Sequence, residues 1–245
     1  MFNQRTPLLV RKRSVAGSLL LVLFALTFGM AAPAAQKKGA PGSVLVSDKG
    51  KLNILLDGKS VGHEEFEISP TGSGWIAKGA TSLTPPQGAS SNVTGSLTLQ
   101  PSGAPIAYDW SAQTEKTNGA HVVFINGVAK MTLQMQGAHS FEQDLTFGSP
   151  AIVVLDNNLY HQYAVLARVY DWSRRGKQDF SVLIPQELTP GTLSVESLGS
   201  ASIEGKPYET LKVQTSDLEL TLYLDSTHRL MRIEVPSAKV SVVRE

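Results

Sequence analysis

The sequence predicts a mainly β protein: a large antiparallel sheet, curved into an open or half barrel, with one helix packed on its concave face. Three observations predict it. Apolar and polar residues alternate with period two through most of the chain beyond residue 50. Glycine-bearing turns separate these runs roughly every 8–12 residues, which makes neighbouring strands pair with each other. Only one later segment has helical spacing.

The alternation is clearest near the C-terminus, where Leu218, Leu220, Leu222 and Leu224 share one face and Glu219, Thr221, Tyr223 and Asp225 the other. Met231, Ile233 and Val235 repeat the pattern, as do Leu211 with Val213, Met131 with Leu133 and Met135, and Ile106 with Tyr108 and Trp110. Such runs are half-buried strands, because successive side chains point to opposite faces. Between them lie Asp57-Gly58, Thr71-Gly72-Ser73-Gly74, Pro101-Ser102-Gly103, Asn118-Gly119, Asn126-Gly127 and Glu204-Gly205. Glycine accepts the positive φ that tight hairpins demand, so each is read as a turn. The count comes to about a dozen strands.

The helical segment is Asp156–Trp172, with Leu159, Tyr163, Leu166 and Tyr170 on one face and Asp156 as the expected N-cap. A dozen strands at ~4.8 Å spacing give a sheet roughly 58 Å wide. A helix of about 15 residues is only ~22 Å long and ~10 Å across. It covers the apolar face only if the sheet curls around it, or if the sheet folds into a two-layer β-sandwich, the alternative architecture.

The chain opens with Arg5, Arg11, Lys12 and Arg13, then a 16-residue apolar run, Val15–Met30. The run suits a secretory leader and is short for a membrane span, which needs about 20 residues. Ala32 and Ala34 supply a small-x-small cleavage site, with cut after Ala34 or Ala35. The expected organisation is therefore a signal peptide at 1–34, a polar linker at 35–50 and one antiparallel β domain at 51–245. With no cysteine in the chain there is no lipid-modified anchor and no disulfide framework. The expected location is periplasmic or extracellular, with no membrane span after cleavage.

The net charge is +1, and loss of the four basic leader residues takes it to −3. The charges are scattered, which argues against nucleic acid as a partner.

The opening block Lys51–Ser69 (KLNILLDGKSVGHEEFEIS) and the closing blocks Gly205–Tyr208, Leu218–Ser226 and Arg229–Ser237 bracket the lone helix and Phe180–Gln186. That order resembles the uncharacterised exported bacterial proteins of the DUF3108 family, whose general shape is similar to open barrels of the LolA and LolB lipoprotein-carrier kind. The resemblance spans most of Lys51–Glu245, rests on soft motifs, and implies an open β fold without established catalytic residues.

Five histidines, His63, His121, His139, His161 and His228, lack metal-ligand spacing. His63 and Glu65 share one strand face while Glu64 points to the other, so they read as a solvated polar stretch. No nucleophile elbow, phosphate loop or sequence-local Ser–His–acid set occurs, so neither a catalytic residue nor a cofactor is expected. The helix is rich in amphipathic aromatics, which suit the wall of an apolar cavity with a polar rim. The candidate ligand-binding set is Leu159, Tyr163, Leu166 and Tyr170, with Arg174 and Arg175 at the polar end for an anionic headgroup. The expected function is binding or carriage of an apolar or amphiphilic ligand, such as a lipid, in the cell envelope. The alternative is a structural or interaction protein that pairs with an envelope partner through a sheet edge.

Overall fold

The computed structural model describes residues 42–113, 117–149 and 151–245. The expected leader and its cleavage site at Ala32 and Ala34 lie outside the described residues.

Among the described residues fifteen strands form one sheet. Nine precede the helix, the first eight being β1 (Asp48–Leu56), β2 (Lys59–Pro70), β3 (Trp75–Leu83), β4 (Ser91–Leu99), β5 (Pro105–Gln113), β6 (Thr117–Ile125), β7 (Val128–Met135) and β8 (Phe141–Thr146). A short β9 (Ile152–Val154) leads to the helix α1 (His161–Val169). Then follow β10 (Lys177–Ile184), β11 (Thr189–Ile203), β12 (Lys206–Gln214), β13 (Glu219–Leu224), β14 (Leu230–Val235) and β15 (Val240–Arg244). The order across the sheet is β8-β7-β6-β5-β4-β3-β2-β1-β15-β14-β13-β12-β11-β10-β9. All pairings are antiparallel except β9 with β10, which are parallel and joined through α1.

The sheet curls. Helix α1 touches both β3 and β14, and β9 meets β5, although ten strands separate them in the sheet order. Strands β6–β8 therefore continue past the seam. Val122, Ala129, Met131 and Leu145 on this overhang are buried, and β9 and β10 carry consecutive buried residues at Ile152–Val154 and Phe180–Leu183. A strand buried on both faces needs cover on both. The interior and α1 cover one face, and a sheet winding past its own seam covers the other. One continuous sheet, rather than two stacked layers, sets aside the sandwich alternative.

Hairpin chemistry follows the residue types. Asp57-Gly58, Asn126-Gly127 and Glu204-Gly205 each have two successive positive φ values, 51° with 76° or 77°, the geometry of type I′ turns. Asn118-Gly119 departs from expectation. It lies inside β6, where Gly119 pairs with Ser111 and Gln134, so it is strand and not turn. On β14 the inward series starts at Leu230 and not Met231, because a bulge shifts the register between Tyr223 and Leu224. Residues 42–50, expected to be linker, belong to the fold: Leu45 is buried, the Val44 amide donates to Pro101 O, and β1 begins at Asp48.

The helix is shorter than expected. It begins at His161 with Tyr160 at the N-cap position and no side-chain cap, and Tyr170 ends it with an extended ψ of 128°. Asp156 is not the cap. Its carboxylate accepts instead from the Tyr108 hydroxyl and the amides of Asn157 and Gln186, which holds residues 156–160 as a turn. Among the described residues no helix is long and apolar enough to cross a membrane.

Candidate functional site

The helix is seated on a buried polar network supplied by the sheet. Glu64 on β2 lies on the inner face with Phe66 and Ile68, and it is fully buried, as is His161. One Glu64 oxygen accepts from the His161 amide at 3.0 Å and the other from His161 Nδ1 at 2.5 Å. The carboxylate thus caps α1 from another element, where negative charge meets the positive end of the helix dipole. Glycines make the room. Gly79 on β3 faces this pair so closely that a β-carbon would overlap His161 Nδ1 and Glu64 Oε1. Its cross-strand partner Gly95 faces Leu159 and the Tyr108 hydroxyl.

A second carboxylate sits alongside. Tyr108 Oη donates to Asp156 Oδ2 at 2.8 Å, the Asp156 amide donates to Gln162 Oε1 at 2.5 Å, and Thr81 Oγ1 donates to Asn158 O at 2.6 Å. Burial is the main reason the Asp156 pKa rises from 3.8 to about 6, against the lowering effect of its hydrogen bonds. Burial, and then the nearby carboxylate, push the Tyr108 hydroxyl well above its ordinary value. These groups are chemically capable of proton transfer, but Glu64 and His161 have no exposed surface. The arrangement acts as a clamp on the helix. Period two carried its signal, since Glu64 shares parity with Phe66 and Ile68; its partner lies 97 positions away and is invisible locally.

The expected ligand-binding residues occupy several environments. Leu159, Leu166 and Tyr170 are buried and Tyr163 is half-buried, all packed in the central core. Arg174 and Arg175 are exposed in the following loop. The recess between α1, β4, β5 and β9 measures about 10 Å³, the space of a single water at most. The curled sheet has closed onto the helix at this point, and no ligand-sized void lies there. Tyr170 is anchored: its hydroxyl donates to Gly176 O at 2.7 Å and accepts from the Ser197 amide at 3.2 Å. Tyr170→Phe is expected to cost about 1–3 kcal/mol, the penalty of leaving those partners unpaired. Urea unfolding measures it, and an unchanged midpoint would show that the hydroxyl has no structural role.

At the C-terminal end of α1 the surface changes character. Trp172 stacks on His228 with ring centroids 3.8 Å apart and planes 4° from parallel, while Tyr170 meets Trp172 edge-on at 5.1 Å. Trp172 Nε1 donates to Ala167 O at 3.0 Å, satisfying one carbonyl of the last turn. Val44 and Val46 are exposed at 43% and 48%. Val44 and Val169 both lie within about 3.5 Å of where a Gly103 β-carbon would stand, which places the exposed valine beside the helix end. Arg168, half-buried, belongs to the same turn. Burial, then the charges of Arg168 and Arg175, depress the His228 pKa, against the raising influence of Glu209 and Asp225.

The two edge strands of the sheet are β9, which pairs with β10 and packs on β5, and β8, which pairs only with β7. Phe141 on β8 is 51% exposed, and it faces Leu133 across the ladder. Nearby, an open groove of about 380 Å³ crosses β5–β7, lined by residues that include His121, Asp109 and Ser111. His121 Nδ1 and Asp109 Oδ1 are 2.6 Å apart and both side chains are half or more exposed. Among the described residues no three metal-ligating side chains cluster.

A solved structure described as a β-barrel-like protein of a domain of unknown function, DUF1849, from Brucella abortus is similar to this chain. The TM-score is 0.54 at 8% identity, covering 82% of this chain and 95% of that one. A DUF1089 family protein from Pseudomonas aeruginosa gives a TM-score of 0.46 at 10% identity, over 83% of this chain and 95% of that one. No protein-family model matches the chain, and no curated protein does. The Brucella likeness is one of fold: a β-barrel-like open sheet. The DUF3108 and LolA-type resemblance has no matching family model behind it.

Proposed function

We propose that this is a non-catalytic protein of the cell envelope, exported by its 1–34 leader, that binds an amphiphilic ligand at the barrel mouth beside the end of α1. The observation that carries the reading is exposed Val44 beside Val169 at the helix end, one turn from the Trp172–His228 stack. A bared valine one helical turn from a partly exposed Trp has the composition of an interface between apolar and aqueous phases. The barrel interior beside α1 is filled, so the ligand is held at the rim instead. This is an open-barrel variant of the carrier role that the LolA-type resemblance implies.

The arrangement of tryptophans supplies the test. Trp75 and Trp110 are buried, whereas Trp172 is half-buried at the mouth. Vesicles of phosphatidylcholine with brominated acyl chains are expected to quench the fluorescence of the mature protein, and Trp172→Phe to remove that quenching. Absence of quenching, with no co-sedimentation, would rule the reading out. For export, sequencing of envelope-localised protein is expected to start at Ala35 or Gln36; recovery of Met1 would contradict it.

A second reading has its own observation, the unpaired β8 edge beside half-exposed Phe141. Here a partner strand adds to β8. Glu142 and Asp144 lie on the other face of β8, so the fitting strand is apolar on one face and basic on the other. Under this reading Phe141→Asp weakens the binding of such a peptide while leaving vesicle quenching intact.

A further inference from the structure

We infer that the mouth at the end of α1 binds a phosphate-type oxyanion between the guanidinium groups of Arg168 and Arg229, beside the Trp172–His228 stack. This deepens the amphiphile reading by naming the chemistry of the ligand's polar end.

The first support is an unmet cation. The Arg168 side chain is half-buried, yet among the described residues its guanidinium makes no hydrogen bond and no ion pair. A half-buried charge without a partner is unfavourable. Arg229, in the turn just before β14, which α1 packs against, makes only a long ion pair with Asp48, at 4.0 Å. The Trp172–His228 stack brings the turn that carries Arg229 against the end of α1, and Arg168 feels the attraction of Asp48 and Asp225 as well as the repulsion of Arg229. Two guanidinium groups at one mouth are stabilised by an anion placed between them, and their planar forks match phosphate oxygens in a bidentate manner.

The neighbouring carboxylates do not serve. Both oxygens of Asp48 are taken by Arg244, at 2.6 and 3.1 Å. Asp225 accepts from the Thr227 amide and hydroxyl and from the Arg229 amide, which ties it into its own turn. The helix end itself presents carbonyls, the negative pole of the dipole. The anion is therefore held by side chains, and the Trp172 indole, by bonding Ala167 O, removes one competing acceptor. Exposed Val44 lies beside Val169 at the same helix end, where the apolar part of an amphiphile would rest.

His228 reports on the site, because it faces Arg168, Arg175, Glu209 and Asp225. An anion that neutralises the arginines favours the protonated imidazole. Inorganic phosphate is expected to raise the His228 midpoint in an NMR titration of the mature protein. Vesicles containing phosphatidylglycerol are expected to bind about tenfold more tightly than phosphatidylcholine alone. Arg168→Gln and Arg229→Gln should each abolish that preference. Lys130→Gln, an equal charge change on β7 at a Lys130–Asp144 pair, should retain it. Arg229 is exposed, so its variant remains informative if Arg168→Gln fails to fold.

Equal binding of the two vesicle types, with no movement of His228 in phosphate, overturns the oxyanion site and leaves the amphiphile reading standing. A phosphate shift at His228 without binding of either vesicle upholds the oxyanion site and overturns the amphiphile reading. Weakening by Lys130→Gln equal to that by Arg229→Gln shows general charge attraction and overturns the site.

Discussion

Glu64→Ala is expected to lower the stability of the domain by about 3–5 kcal/mol, the order of cost of breaking a buried, hydrogen-bonded carboxylate–imidazole pair. Both side chains are at 0% exposure, so no water replaces the lost carboxylate. Two donors are stranded together, the His161 amide and Nδ1. The His161 Nε2 atom already has no hydrogen-bond partner, so the ring has no second anchor. For a domain of this size the loss corresponds to a fall of roughly 6–20 °C in melting temperature. Removing both partners together, as Glu64→Leu with His161→Leu, is expected to recover a good part of the loss, since apolar replacement of a whole buried pair is often neutral. Urea titration of the four members of the cycle measures the coupling. A single-variant loss under about 1 kcal/mol, typical of an exposed pair, would mean that Glu64 does not clamp the helix.

The second large effect is a dependence on pH, and its sign is set by Asp156. Its folded pKa is raised from 3.8 to about 6. Between these values the folded state binds more protons than the unfolded state, so stability falls as pH rises through the window. A shift of this size amounts to about 3 kcal/mol, fully felt above about pH 6 and absent below about pH 4. Asp156→Asn should flatten the profile: its oxygen still accepts from the Asn157 and Gln186 amides, and its NH₂ donates to a rotated Tyr108 hydroxyl. Chemical unfolding at a series of pH values compares the two proteins. Parallel profiles for the wild type and the Asp156→Asn variant would remove Asp156 as the source.

Most of the sheet was legible because its information is local. Period-two parity placed Leu220, Leu222, Leu224, Leu211, Val213, Tyr108 and Trp110 inside, where they are buried. Dipeptides such as Asp57-Gly58 state their turn type directly. The strand β9 was not legible, since Ile152–Val154 is a short apolar run without alternation, as expected of a strand covered on both faces. The Asn118-Gly119 pair misled because turn propensity says nothing of register. The helix boundary was misplaced because its cap comes from β2, and Asp156, which has the right chemistry for a cap, is claimed by Tyr108 and Gln186. The ligand-binding set was drawn from one face of α1, whereas the mouth joins residues from the helix end, the segment before β1 and the turn before β14. Only the fold brings Val44 beside Val169 and stacks Trp172 on His228.

The pairing of β1 with β15 has a consequence for assembly. Every other ladder in the sheet joins strands that follow one another along the chain. Two fans, β1–β8 and β10–β15, can therefore zip up hairpin by hairpin with short loops and little entropy to overcome, while β9 joins the second through the α1 crossover. Uniting them means closing a loop with 196 positions between Asp48 and Arg244, the residues that bond across the stitch. The cost of closure grows only logarithmically with length, so the stitch is slow to find rather than weak once found. Of the described strands, the one synthesised first waits longest for its neighbour. Until β15 arrives, β1 presents an open hydrogen-bonding edge in the middle of the future sheet, and the interval of greatest vulnerability to aggregation is set by delivery of the final strand.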